Sequence, residues 1–355
     1  MHLLILKWLG PVSVAKLSGG TFRGMSRIVC THTYDNIISV ENLLAAWKEF
    51  LNGKRTKKDV QEFELQLMDN VLHLHTELAA KTYHHGPYHA FKISDPKPRE
   101  IHKALVRDRL LHHAIYRKLY PFFDRTFIAD SYSCRVNKGT HRAMNRFRDF
   151  AHIVSKNHTK TLWILKCDIR KFFASVDHKI LFEILHTRIA DPEILSLLRR
   201  IVESFETSPS KGLPLGNLTS QLLVNIYLNE FDQFVKQRLK AKYYIRYADD
   251  FVFLSRDKAK LEQALRYTAV FLRKELKLQL HPNKVSITTI ASGVDFLGWV
   301  HFPDHRVLRT STKRRMLRRT VGLEEKSPTV KSYLGMLGHG NGKKLKELLM
   351  RNLAP

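Results

Sequence analysis

Residues 243–255 read YYIRYADDFVFLS. Two short runs rich in aromatic and β-branched residues, YYIRY and FVFLS, flank two adjacent carboxylates, Asp249 and Asp250. Runs this close leave room only for a tight hairpin, so the stretch predicts two antiparallel strands whose turn presents two like charges. Asp is favoured in turns for local reasons, and a bare Asp-Asp pair would be ordinary turn chemistry. A third carboxylate changes that reading. TLWILKC, residues 161–167, is an apolar strand interrupted by Lys166, and Asp168 stands where it ends, within KCDIRKFFASVD. Two carboxylates ~4 Å apart repel by ~4 kcal/mol at an effective dielectric near 20. A fold retains such a cluster when something positive sits among the charges. Hard oxygen ligands with open positions suit Mg²⁺, which keeps water and binds phosphates. Two such ions can hold the attacking and leaving oxygens of an in-line phosphoryl displacement.

Outward from this centre the chain alternates helical and strand patterns. Ser39 is placed to cap a helix with apolar positions at Leu43, Leu44, Trp47, Phe50 and Leu51. Thr56 is expected to open one longer helix through Val60, Phe63, Val71, Leu74 and Leu78. YHAFKIS and EIHKAL read as a hairpin around DPKP, followed by a helix from about 107 to 122. Asp177 and Asp191-Pro192 each begin a helix, GLPLG is a turn, and NLTSQLLVNIYLNEFDQFVKQRL is a long helix. A helix over about 258–276 precedes strands near KVSIT, VDFLGWVHF and RVLRT. The end is helical and basic, with KRRMLRR at 313–319 and a turn at Gly338, Gly340 and Gly342.

The chain has 355 residues, enough for two or three lobes. Lys and Arg number 60 against 33 Asp and Glu, a net charge of +27 spread along the sequence. Such an excess favours a polyanion, nucleic acid before membrane. No run of 18 uncharged apolar residues exists, so no membrane span is predicted. Cys30, Cys134 and Cys167 are isolated, without a C-x-x-C pair, which points away from zinc sites and disulfides and toward a cytoplasmic location. HHGPYH, with His84, His85 and His89, reads as a solvated loop that touches phosphate rather than a metal site. The first 24 residues match a signal peptide poorly and read as an extension upstream of a second start at Met25.

YADD resembles the Tyr-x-Asp-Asp motif of reverse transcriptases. KCDIRKFFASVD, GLPLGNLTSQLLVNIYL, HPNKV and FLGW resemble, in order, their first catalytic strand, nucleotide-pocket turn and helix, later lysine motif and primer-end strand. DPKPREIHKALVRDRLLHHAI and SYSCRVNKGTHRAM resemble their two finger motifs. The likeness runs from about residue 36 to the C-terminus. It implies an α+β right-hand polymerase with fingers, a palm built on an antiparallel sheet, and a helical thumb. The expected division is an N-terminal extension over 1–30, fingers 31–155, palm 156–303 with a finger-side insertion near 186–211, and thumb 304–355.

The resemblance also assigns roles. Asp168, Asp249 and Asp250 match the metal-binding catalytic carboxylates, with the Ile169 carbonyl beside them, for two Mg²⁺ ions or substituting Mn²⁺. Phe173 matches the aromatic gate that rejects a ribose 2′-OH, the group that separates RNA from DNA units. Neighbouring Phe172 reads as core. Lys97 and Arg99 match cations that hold the triphosphate. Arg135 is expected at template or triphosphate, and Lys284 near the leaving pyrophosphate. Arg314 and Arg318 are expected to track the phosphates of an RNA–DNA hybrid. Most of the family carries Gln-Gly in the pocket turn and Ser-Pro just after it. Here Leu215-Gly216 and Ser220-Gln221 stand instead. That departure resembles the reverse transcriptases of diversity-generating retroelements. It implies cDNA synthesis that misincorporates opposite template adenine, with template RNA, dNTPs and a small basic accessory protein as partners. No RNase H, protease, integrase or endonuclease is expected. Competing readings are a stand-alone prokaryotic reverse transcriptase in phage defence and a catalytically inactive RNA-binding scaffold, the latter opposed by the intact carboxylate set.

Overall fold

The computed structural model describes residues 28–94 and 98–353. The proposed extension and its Met25 start, and Lys97, lie outside the described residues. The chain forms two compact units interleaved in sequence. One holds residues up to Ala129 with Ile169–Arg238 and Ala269–Pro282; the other holds Asp130–Asp168, Leu239–Thr268 and the chain from Asn283 onward. Fingers, palm and thumb boundaries stay a proposal alongside these units.

The first unit is mainly helical. The Ser39 side chain accepts from the Asn42 N–H at 3.2 Å and starts the helix Val40–Phe50, which buries Leu43, Ala46, Trp47 and Phe50. That helix packs on Val106–Asp124, and the Asn42 amide reaches the Ala114 carbonyl at 3.2 Å. The single helix expected from Thr56 to Leu78 is instead two, Lys58–Leu65 and Leu67–Ala79, broken at Gln66 (φ −121°, ψ 41°). Apolar periodicity continues through the break, so the pattern could not show it. The Asn70 amide takes the Phe63 carbonyl at 3.0 Å beside the break. Strands β1 (His89–Ile93) and β2 (Arg99–Lys103) form the expected hairpin in the register His89 to Lys103 and Ile93 to Arg99.

The HHGPYH loop departs from its expectation. His84 and His89 are exposed, but the His85 side chain is buried. Its ring stacks on Tyr88 at 4.7 Å and on His112 at 5.3 Å. Fully buried Asp108 lies beneath, accepting from the Tyr83 hydroxyl at 2.9 Å and the Gly86 N–H at 3.1 Å. A buried carboxylate requires such donors, and supplying them draws half the loop into the core.

The second unit is built on a four-stranded antiparallel sheet. Its strands are β3 (Trp163–Asp168), β4 (Tyr244–Tyr247), β5 (Asp250–Ser255) and β6 (Ser286–Thr289), in the order β4-β5-β3-β6. The α+β class with antiparallel sheets is as expected. One sheet face packs Ile164, Ile245, Val252 and Leu254 against Phe147, Phe150 and Ala151 of the helix Thr140–Val154. The outer edge of β4 is covered, since Arg246 donates its N–H to the Asp130 carbonyl at 3.0 Å and accepts from the Tyr132 N–H at 3.0 Å.

VDFLGWVHF, expected as one strand, is a hairpin of β7 (Val294–Phe296) and β8 (Trp299–His301), continued by β9 (Arg306–Leu308). Leu297 (φ 53°) and Gly298 (φ 87°) turn the chain in the left-handed region that a two-residue hairpin loop requires. Leucine there lacks the usual turn signature. Trp299 anchors a second cluster with Met144, Leu308, Met316, Val330, Leu337 and Leu349, the last four drawn from the C-terminal helices Thr310–Thr320, Pro328–Leu337 and Lys343–Arg351. Gly340 passes so close that an added Cβ would meet the Trp299 ring at 2.1 Å. No helix among the described residues is long and apolar enough to cross a membrane.

His301 is buried between the Phe147 ring at 4.8 Å and the Phe296 ring at 6.4 Å. Burial, and secondarily the charge of Arg306, pushes its pKa down to about 4, against weaker opposition from the Phe296 carbonyl and Asp295. As pH falls, the unfolded chain takes up this proton first, so stability is full above about pH 6.5 and is lost toward pH 4. Denaturant titrations at pH 7.5 and 5 should show His301→Phe losing roughly 2 kcal/mol less than the wild type over that interval. Identical losses in the two proteins would remove His301 from the acid response.

Candidate active site

Strands β3 and β5 bring the carboxylates together. In their antiparallel register Asp168 lies directly opposite Asp250. Side chains so paired have Cβ atoms about 4.5–5.5 Å apart, and like charges there repel. β4 and β5 are joined by the two residues Ala248 and Asp249, between the paired residues Tyr247 and Asp250. Ala248 takes φ 54°, a conformation that costs a residue with a Cβ roughly 1–2 kcal/mol. Asp249 thus sits in the turn itself, while Asp250 is the first residue of the strand. Strand alternation runs apolar on both sides of β5, with Phe251, Val252, Phe253 and Leu254 all buried. That core fixes the register and the carboxylates with it.

The electrostatics follow from the placement. Asp168 is 6% exposed. The Lys284 ammonium lies 2.8 Å from both of its oxygens. Burial, then the charge of Asp249 and more weakly of Asp168, pushes the Asp250 carboxyl up to about 6, opposed by Lys166 and Lys284. Lys166 sits within β3 and donates to the Asp295 carbonyl. Among the described residues no three His, Cys, Asp or Glu side chains converge into a closed cage for an ion. The donor set still fits Mg²⁺, which usually takes only one or two carboxylates and completes its octahedron with water and substrate phosphates.

A residue absent from the sequence reading supports the turn. Arg246 is fully buried, and its guanidinium donates to the Ala248 carbonyl at 3.2 Å. Its signal was available as the lone charge inside the buried run YYIRY. Of the expected nucleic-acid contacts in this unit, Arg135 donates to the Ser131 carbonyl at 3.0 Å, and Arg314 and Arg318 stand exposed on the helix Thr310–Thr320.

The other unit carries the expected pocket residues, linked to one another through the backbone. Ile169 is buried and bridges to Leu280. Phe172 is buried as core, as expected, and Phe173, on the short helix Phe172–Ser175, is half-buried. The Phe173 carbonyl accepts from the Leu213 N–H at 2.9 Å, and two residues on, the Leu215 carbonyl accepts from the His102 N–H at 2.9 Å. The Asn217 amide returns to the His102 carbonyl at 2.9 Å. The turn is therefore clamped between the Phe173 segment and β2, which also carries exposed Arg99. Gly216 holds φ 107°, and a Cβ there would meet Ile101 at 2.8 Å, so the position admits only glycine. Gln221 is half-buried in the first turn of the helix Leu218–Gln233.

The profile of the family described as reverse transcriptase (RNA-dependent DNA polymerase) matches residues 94–301. The protein YkfC of Escherichia coli K12 is 26% identical over 272 residues, covering 65% of this chain and 69% of that protein. The group II intron-encoded protein LtrA of Lactococcus lactis is 22% identical over 293 residues, covering 63% of this chain and 47% of LtrA, so the chain spans about half the length of that relative. Among solved structures, telomerase of Candida albicans with a fragment of telomeric RNA aligns at a TM-score of 0.48 and 11% identity, over 78% of this chain and 58% of that one. Apo telomerase of Candida tropicalis, truncated from its C-terminal domain, aligns at 0.47 and 12%, over 66% and 59%.

Neutralising one charge of the cluster should stabilise the fold. With Asp249→Asn, repulsion on Asp250 is relieved by an amount on the order of 1 kcal/mol, worth roughly 2–4 °C for a domain of this size. Thermal unfolding in chelator should show the melting temperature rising. A fall would mean that Asp249 serves the turn structurally rather than straining it.

Proposed function

Because this chain belongs to the reverse transcriptase family, we propose that it copies RNA into DNA by nucleotidyl transfer at Asp168, Asp249 and Asp250. The observation that carries the reading is the opposition of Asp168 and Asp250 across β3 and β5, with Asp249 in the adjoining turn, inside the span of the family match. Carboxylates set opposite and next to one another on paired strands are unfavourable without cations, and two-metal phosphoryl transfer is the chemistry that uses them. Bound divalent ions, Mg²⁺ or substituting Mn²⁺, supply charge neutralisation and alignment of the attacking hydroxyl and leaving pyrophosphate. Asp168, Asp249, Asp250 and the Ile169 carbonyl are the residues that would hold them.

The rest of the chain binds and orients. Phe173 excludes a 2′-OH by bulk. Lys97 and Arg99 hold the triphosphate as basic partners of its oxygens, and Gly216 and Gln221 line the pocket. Lys284, a mobile point charge, moves from carboxylate to leaving pyrophosphate as negative charge develops there. Arg135, Arg314 and Arg318 hold template and hybrid through phosphate, in keeping with a net charge of +27.

The finer reading is a diversity-generating polymerase in the cytoplasm, working with a small basic accessory protein and error-prone at template adenine. Leu215 supports it. A glutamine there could orient the incoming sugar by a hydrogen bond worth ~0.5–1.5 kcal/mol, about two- to twelvefold in discrimination. Leucine fills space without enforcing that geometry.

Primer extension on a defined RNA with Mg²⁺ tests both levels. Wild type should extend with dNTPs, and Asp249→Asn should not, while RNA binding survives. Normal extension by that variant would sink the site assignment. Deep sequencing of the products should show Leu215→Gln misincorporating less opposite adenine at comparable yield. Equal error spectra would remove Leu215 from the fidelity account and leave the polymerase reading untouched.

A further inference from the structure

The second unit contains a cavity of about 460 Å³ apart from the carboxylates, bordered by the helix Thr140–Val154, the turn between β8 and β9, and the glycine turn at 338–341. Its size falls in the range of small-ligand sites. Its walls carry an unusual pair of features.

The first is an underused guanidinium. Arg306 donates through Nε to the His339 carbonyl and through Nη2 to Asn145 at 3.0 Å. Its Nη1 is shielded from solvent and has no hydrogen-bond partner, an unfavourable condition for a charged donor. Among the described residues no carboxylate pairs with it. A second guanidinium, Arg148, also lines the cavity, close enough that its charge adds to burial in lowering the Arg306 pKa. Arg148 also meets Asp149 at 3.7 Å on the exposed helix face, so it is the unmet Arg306 donor beside a second guanidinium that calls for an anionic oxygen. Asp304, at the exposed turn, is the sole acid among the lining residues.

The second feature is an aromatic platform. Phe302 and His305 stack with centroids 4.9 Å apart and planes inclined by 13°. The Phe302 N–H, donating to the His305 carbonyl at 2.8 Å, fixes the tight turn that pairs them. Phe302 is half-buried and His305 exposed, so the pair meets solvent at the cavity mouth. Neither ring is needed by the Trp299 cluster beneath.

An anion site beside a flat stacking surface matches a nucleotide. We propose that this cavity holds one nucleotide unit of single-stranded nucleic acid, its base on Phe302 and His305 and its phosphate on Arg306 Nη1 and Arg148. It would grip the strand away from the carboxylates. Stacking is tolerant of base identity, and no base-edge code is required.

The test uses the full chain, irradiated with a short oligouridylate carrying 5-iodouridine, with cross-linked peptides located by mass spectrometry. Cross-links should map to Phe302 or His305. Arg306→Lys, which keeps the charge but loses the planar fork, and Arg148→Ala, at an exposed position, should each lower the yield at this segment about tenfold, the low end of what one hydrogen bond to a charged group contributes. Cross-links elsewhere in the chain should be unchanged, and Asp249→Asn should retain the cross-link, which separates this site from the polymerase reading. Unlabelled oligouridylate should compete far better than AMP at equal nucleotide concentration. No cross-link in this segment, or yields indifferent to both arginine variants, would overturn the proposal. Equal competition by AMP would mark a mononucleotide site and overturn the strand assignment.

Discussion

The antiparallel pairing of Asp168 with Asp250 is the constraint on which the rest depends. Two like charges facing each other across adjacent strands oppose the very pairing that juxtaposes them. The pairing persists because the strands behind the charges are apolar: Ile164, Leu165, Phe251, Val252, Phe253 and Leu254 are all buried. At ~25 cal/mol per Å² of apolar surface, a few such side chains outweigh a repulsion of a few kcal/mol. β3 lies between β5 and β6, so slipping its register would misplace partners on two edges at once. The repulsion is thereby held in place rather than relaxed. Lys284 on Asp168 offsets part of it, and the Asp250 carboxyl is raised first by burial and then by the charge of Asp249. Sites that store unfavourable energy in this way are the ones where a bound cation changes most.

The turn between β4 and β5 shows the same logic locally. Ala248 accepts a left-handed backbone without glycine's freedom. Arg246 anchors it from below through the Ala248 carbonyl, and its own backbone is fastened to Asp130 and Tyr132. A glycine would relax the turn and blur the position of Asp249. A residue with a Cβ, held in place by a buried arginine, narrows it.

Much of this was legible in the sequence, where local pattern and tertiary demand agree. The hairpin, the β3 strand and its terminal Asp168 follow from apolar runs and their punctuation. So do the caps at Ser39, Asp177 and Asp191, whose side chains accept from backbone N–H groups one turn on. What stayed hidden left no mark in the local pattern. The break at Gln66 interrupts an unbroken apolar period. The Leu297-Gly298 turn wears a core residue where Asn would be usual. His85 reads as a loop residue until Asp108 and His112 are placed beneath it. The role of Arg246 emerges only once both flanks of β4 are covered. At His85 and Arg246 a buried polar group and its distant partners override the local signal, and Leu297 packs against two apolar clusters.

The pocket turn separates what the fold needs from what it leaves open. Residue 215 accepts at its carbonyl from the His102 N–H, and the side-chain amide of residue 217 donates to the His102 carbonyl. Gly216 between them is fixed by its φ and by Ile101. None of these constraints involves the Leu215 side chain. The backbone would hold the same course with a glutamine there, so no folding argument selects leucine. A position whose main chain is clamped through its own carbonyl can change its side chain, and with it discrimination, while the turn keeps these hydrogen bonds. The backbone bonds that hold the turn are thus separate from the side chain by which this chain departs at 215.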